Sequence, residues 1–284
     1  MTDSEKYCLS LLRGGDYERY ISVLFAPRDK RGSLAALYAF NLELVRTGDA
    51  VKEPLAGEIR LRWWRDRIET GSGEGQSPVL TALLAAIRRH GLPFQAFLRM
   101  CDARIFDLYH DAMPGRTELE GYYGDTVALV MQLACQILDR EAASRCADAS
   151  SHGGVAQGIS GLLRLLPMTT RRDQLYIPQD ILVAVGGTRA ALRAPVPDIE
   201  VRRRVVLAML ALAYEHYGAF AAAIENTPTS VRAAFLPLAA VPACLKQAET
   251  LGSRVFEDMA GVSRLRRQWL IGCAALTSRF RHKT

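Results

Sequence analysis

Apolar side chains recur at three- to four-residue spacing along nearly the whole chain. Leu34, Leu37, Tyr38, Leu42 and Val45 form one series. Phe94, Phe97, Leu98, Cys101, Ile105 and Leu108 form a second, and Val127, Val130, Met131, Ala134, Ile137 and Leu138 a third. Each predicts a helix with one buried face, because side chains at this spacing share a side of the spiral. Breaks fall at Gly14-Gly15, Pro27, Gly48, Pro54, Gly71–Gly75, Gly91–Pro93, Pro114-Gly115, Pro167, Gly186-Gly187 and Pro228. Ser77-Pro78 predicts a helix start with proline in the first turn, and Thr117 ahead of Glu118 and Glu120 predicts another. Longer connections are expected at Gly71–Gln76, Met168–Ile177 and Arg189–Asp198, and Pro167 should end or kink its helix. No alternating pattern bounded by hairpin turns appears, so strands are not expected. The prediction is an all-α helical bundle of ten or more helices, forming one domain over residues 1–284.

Composition narrows the class. With 49% hydrophobic and 23% charged residues, the 284-residue chain can bury a large core, which excludes disordered, collagen-like and disulfide-scaffold proteins. The balance of 36 Lys+Arg against 30 Asp+Glu leaves a formal charge of +6, which suits an anionic membrane surface. Arginines cluster at Arg60, Arg62, Arg65 and Arg67, at Arg202–Arg204, and at Arg264, Arg266 and Arg267. They scatter around several helices and build no known nucleic-acid module, so no nucleic-acid partner is expected. The six cysteines contain no CxxC pair, which fits a reducing compartment. The first residues lack the pattern of a signal peptide, and no uncharged apolar run reaches the ~18 residues of a spanning helix. A cytoplasmic protein, peripheral to the inner membrane at most, is the expectation. The five histidines are dispersed, and no GxSxG, HExxH, P-loop or GxGxxG element is present.

Three stretches carry more information: LYAFNLELVRTGD over 37–49, IRLRWWRDRI over 59–68, and AQGISGLLRLLPMTTRRDQLYIP over 156–178. Together they resemble the squalene/phytoene synthase family, from about Cys8 to Leu245. Tyr38-Ala39-Phe40 matches the opening of that family's first signature, and Leu61–Arg65, centred on Trp64 and Arg65, matches its LxxWR element. Leu163-Arg164 and Tyr176-Ile177-Pro178 match its second signature at the same spacing, while Asp107 and Tyr122 fall where the family has an aspartate and a tyrosine. The resemblance implies an isoprenoid-synthase bundle that condenses two prenyl diphosphates head to head with Mg²⁺. It also implies a substrate pocket involving Tyr38, Phe40, Asp49, Trp64, Arg65, Asp107, Tyr122, Arg164, Arg172 and Tyr176. The aromatic members suit either a cavity lining or a packed core. Arg164, Arg171, Arg172 and Tyr176 suit an anion site, because guanidinium forks hold phosphate without metal.

Magnesium prefers oxygen ligands in octahedral array, and carboxylates four residues apart on facing helices would supply them. The resemblance places those ligands at Val45, Arg46 and Asp49 on one helix and at Gly161, Leu165 and Thr169 on the other. Only Asp49 is acidic. Glu43 is no substitute, since six residues of helix turn it about 120° away from Asp49, and an ion pair of Asp49 with Arg46 is the favoured alternative to a residual metal ligand. No cofactor or metal is therefore expected, and Mg²⁺ only if the chain is an active prenyltransferase. The FN-x-EL run and the AQGI–LR–P–RR–P pattern more closely resemble one branch of the family, the respiratory complex I assembly factor 6 branch, regarded as catalytically degenerate. That resemblance implies complex I subunits or assembly intermediates as partners, action at the membrane surface, and an isoprenoid or other lipid as a candidate ligand.

Overall fold

A computed structural model describes residues 1–50, 53–194, 196–277 and 280, without the side chains of Asp49 and Ala50. The chain begins with α1 (Asp3–Gly15), α2 (Tyr17–Phe25), α3 (Arg31–Ala50) and α4 (Pro54–Thr70). Next come α5 (Pro78–His90), α6 (Phe94–Ala103), the single turn α7 (Phe106–Tyr109) and α8 (Arg116–Tyr123). A π-helical turn, Gly124–Ala128, runs directly from α8 into α9 (Leu129–Leu138). The long α10 (Ala147–Arg171) and α13 (Ile199–Glu225) follow, separated by the short α11 (Gln179–Ala184) and α12 (Arg189–Arg193). A 3₁₀ segment (Thr229–Ala240) leads to α14 (Val241–Leu251) and finally α15 (Arg264–Thr277). No strand occurs among the described residues.

The sequence periodicity explains most of these elements. In α3, residues 32–42 are buried on every side, so this helix forms the axis of the bundle rather than a half-exposed wall. Phe40 sits on that axis with its ring edge-on to Trp64 of α4 and Phe97 of α6, at centroid separations of 5.3 and 5.8 Å. One continuous apolar core extends from Cys8 to Ala260, and α10 and α13 pack along each other through it. By length and composition α13 could cross a membrane, but half of its apolar window is buried inside the bundle, as in a core helix. Small residues set the packing distance of α10. A Cβ at Gly154 would lie 2.5 Å from the Ala128 backbone, and one at Gly158 would lie 2.3 Å from the Tyr123 ring.

Several local expectations are corrected. Pro167 does not stop α10, which continues to Arg171, so the anticipated loop at Met168–Ile177 is mostly shorter and begins after Arg171. Neighbouring helices bury Pro167 and hold the helix where its missing N–H would weaken it. The stretch Arg189–Asp198 contains α12, because the Thr188 hydroxyl caps it by accepting from Ala191 N. α8 starts two residues earlier than Thr117 as a cap would set it, with Gly115 at the cap. Ser77 occupies the cap of α5, but its side chain makes no capping bond.

Candidate functional site

The helices bearing the first and last informative stretches, α3 and α10, face each other across a cleft with two lobes of about 460 and 370 Å³. Arg19, Asn41, Val45, Gln157 and Gly161 line both lobes and form the junction between them. This volume lies within the range of small-ligand sites. Bare backbone at Gly161 widens the passage, for a Cβ there would meet nothing within 4 Å.

The larger lobe is an arginine pocket. Arg13, Arg19, Arg164, Arg264 and Arg267 line it, against the carboxylates of Asp16 and Glu18. The break between α1 and α2 brings the first of these together. Asp16 caps α2 by accepting from Arg19 N, and it also accepts from Arg19 Nη1 at 2.8 Å. Arg267 of α15 pairs with Glu18. Arg264 stacks over the Tyr17 ring at 3.7 Å. Among the described residues no carboxylate pairs with Arg13, Arg164 or Arg264, so the lobe keeps an excess of positive charge. At the junction, the amide oxygens of Asn41 and Gln157 are buried without a donor from the protein. Such acceptors suit a hydroxyl-, amine- or water-bearing ligand.

The smaller lobe is built around Asp107. Tyr122 and Tyr176 donate their hydroxyls to Asp107 Oδ1 at 2.6 and 2.8 Å, and Arg104 Nη1 donates to Oδ2 at 3.0 Å. Arg104 Nη1 also donates to Tyr122 Oη at 3.0 Å, and Gln174 Nε2 donates to the Asp107 carbonyl at 2.7 Å. Burial opposes the charge of Arg104, but Tyr122 and Asp107 outweigh it and hold the guanidinium above its ordinary range. Chiefly through burial, both tyrosine hydroxyls are pushed well up, so they remain protonated donors. Both oxygens of Asp107 are thus occupied by protein donors. The π turn places Tyr122, Tyr123, Thr126 and Val127 along this wall.

The cleft gathers some of the sequence-predicted residues and not others. Asp107, Tyr122, Arg172 and Tyr176 line the smaller lobe, and Arg164 lines the larger. Tyr38, Phe40 and Trp64 are buried in the core instead, where aromatic packing takes them out of the cleft. Arg65 lies on the surface, paired with Asp102 at 2.6 Å, and Arg171 is exposed and lines neither lobe. The Asp49 side chain falls outside the described residues; Arg46 lies 3.8 Å from Glu43. At the positions expected to hold metal, Val45 and Gly161 line the cleft, with Leu165 and Thr169 on the smaller lobe. Among the described residues no group of three or more His, Cys, Asp or Glu side chains could hold a metal ion.

Arg104, Gln174, Asn41, Gln157, Arg13, Arg19, Arg264 and Arg267 were not singled out as site residues. The sequence offers partial signals for several of them: Asn41, Gln157 and Gln174 fall inside the informative stretches, Arg264 and Arg267 inside a basic cluster, and Arg104 stands i,i+3 from Asp107. Their meeting draws on helices far apart in sequence.

The chain is similar to known proteins along most of its length. The profile of the squalene/phytoene synthase family matches residues 12–268. The chain is 32% identical over 256 residues to the NADH dehydrogenase (ubiquinone) complex I assembly factor 6 of Rattus norvegicus, covering 89% of this chain and 76% of that protein. It is 28% identical over 193 residues to the phytoene synthase of Thermus thermophilus, covering 66% of this chain and 64% of that enzyme. Among solved structures, a dehydrosqualene synthase in complex with a ligand superposes with a TM-score of 0.80 over 97% of both chains at 18% identity.

Proposed function

Because the chain belongs to the squalene/phytoene synthase family, we propose that it uses that scaffold without the chemistry, as a membrane-surface assembly factor for respiratory complex I. Similarity to the assembly factor 6 proteins supports the assembly role. The donor set of the cleft supports the loss of catalysis, and this observation carries the reading. Mg²⁺ ionisation of a prenyl diphosphate needs hard oxygen anions on both facing helices. Val45, Gly161, Leu165 and Thr169 line the cleft where those anions would stand. Of the carboxylates that do line it, Asp107 has both oxygens bonded to Arg104, Tyr122 and Tyr176, while Asp16 pairs with Arg19 and Glu18 with Arg267. These residues do not fit the ion.

What the cleft retains is a capacity to bind. Arg13, Arg164 and Arg264 offer guanidinium donors to a phosphate-bearing head, and the smaller lobe offers Val127, Leu162, Leu165 and Met168 to an apolar tail. An anionic amphiphile bound without metal fits both ends. Deleting the gene and measuring NADH-dependent quinone reduction in isolated membranes tests the reading: activity should fall with loss of assembled complex I. Unchanged complex I would refute the assembly role. Mg²⁺-dependent pyrophosphate release from farnesyl or geranylgeranyl diphosphate by the pure protein would refute the loss of catalysis.

A further inference from the structure

The last described helix carries large apolar residues on its outer face as well as on its buried one. On α15, Ile271 and Ala274 are buried against Leu236 of the 3₁₀ segment, with Ile21 of α2 beside them. On its outer side Leu265 is 77% exposed, Trp269 72% and Leu276 83%. At 100° per residue these three positions fall within about 40° of arc, opposite the buried pair. An outward row of two leucines and a tryptophan on one face of a helix differs from the scattered single apolar residues of an ordinary surface.

Charge identifies what the stripe faces. From Met259 to Thr284 the sequence carries Arg264, Arg266, Arg267, Arg279, Arg281 and Lys283 and no acidic residue. Arg266 is exposed, and among the described residues no carboxylate pairs with it. A helix with Leu and Trp on one side and arginine beside them matches a segment lying in the interface of a bilayer, with tryptophan at headgroup depth. Basic residues near an anionic leaflet add to this attraction. A second copy is a poorer occupant. Two-fold apposition would bring the same arginines together, and one helix-wide stripe is far narrower than a stable dimer interface.

We infer that α15 docks the protein on an anionic phospholipid bilayer, inserting Leu265, Trp269 and Leu276 while Arg266 meets the headgroups. The inner face of the same helix lines the arginine lobe through Arg264, Arg267, Gln268 and Ile271, so docking sets that lobe beside the membrane. The inference gives residues to the membrane-surface part of the proposed function but is tested apart from it, because vesicle binding by purified protein involves no complex I.

The experiment is co-flotation of the full chain with vesicles of equal parts phosphatidylglycerol and phosphatidylcholine, against phosphatidylcholine alone. Wild type should float with the anionic vesicles and be released by salt. The L265S/W269S/L276S variant should bind at least about tenfold more weakly, and R266Q should bind more weakly with a shallower salt dependence. All four side chains are exposed, so circular dichroism and Tm should match wild type. Trp269 is the exposed one of three tryptophans, so a blue shift of emission on vesicle binding should vanish in W269F while flotation persists. Absence of binding, or equal binding by the triple variant, would overturn the inference. So would self-association that the triple variant abolishes without any vesicle binding, which would assign the stripe to a second copy.

Discussion

Asp107 and Arg104 sit in the bundle as a mutually dependent pair, and the two tyrosines complete their hydrogen bonding. Removing one partner of such a pair costs far more than removing one hydrogen bond, because the remaining charge stays buried. Asp107→Ala should therefore destabilise the protein by about 3–5 kcal/mol. Tyr176→Phe, which leaves the ion pair and one tyrosine bond intact, should cost about 1–2 kcal/mol. Urea unfolding of both variants measures the difference, and equal costs would mean that the network is not organised around the charge. At this scale the sequence was half legible. Asp107, Tyr122 and Tyr176 could be picked out because signature spacing marks them. Arg164 was marked in the same way, but the roles of Asn41, Gln157, Arg13, Arg19, Arg264 and Arg267 could not be read, since their meeting depends on how α1, α2, α3, α10 and α15 converge. Tyr38, Phe40 and Trp64 share the signature with true cleft residues, and only packing separates an aromatic in the core from one on a wall.

Helix contacts decide two further outcomes. Gly158 and Gly161 lie three residues apart on α10, yet a Cβ at Gly158 would strike the Tyr123 ring while one at Gly161 would stand in open space. Gly158→Ala should lower stability by about 1–3 kcal/mol through forced displacement of Tyr123. Gly161→Ala should raise it by about 0.5–1 kcal/mol by favouring the helix. Thermal melting distinguishes them by sign. A second contact binds α8 to α11 and α13: Arg116 pairs with Glu120 and Glu215, its backbone N–H donates to Asp180, and Glu120 accepts from His216 Nε2 at 3.2 Å. Burial works to raise Glu120, but Arg116 and His216 outweigh it and hold its carboxyl below the ordinary value of 4.5. A depressed carboxyl stabilises the fold fully above its unfolded value and loses that contribution as pH falls through the lower folded value. Glu120→Gln should thus lower Tm by about 2–4 °C at neutral pH, with the gap to wild type closing as the pH drops below 4.5. A gap that persists in acid would assign the effect to packing instead. Helix periodicity made nearly every long element legible, whereas Pro167 misled, because the surrounding bundle holds α10 together across a residue that would break an isolated helix.

At the scale of the whole molecule, the helical bundle encloses a cleft whose larger lobe is lined by more guanidinium groups than carboxylates. Arg13, Arg19, Arg164, Arg264 and Arg267 stand at one end with only Asp16 and Glu18 against them, and Asp107 is held by its own donors at the other. An excess of guanidinium repels Mg²⁺ and attracts phosphate directly. Any ligand that binds only the native state raises its stability, by about 2.7 kcal/mol at a hundredfold excess over Kd. Farnesyl diphosphate in the presence of EDTA should therefore raise Tm by a few degrees, about the shift such a gain produces in a chain of this size. Mg²⁺ alone should leave Tm unchanged, and chelation should not destabilise the free protein. Arg164→Ala, which removes a guanidinium from the lobe without leaving a carboxylate unpaired, should reduce the diphosphate shift. Inorganic pyrophosphate separates the contributions of head and tail: a smaller shift than farnesyl diphosphate gives would place the apolar chain in the second lobe. A diphosphate shift that appears only when Mg²⁺ is added would instead mean that the protein still assembles a metal site, and the cleft would have to be read as an enzyme's.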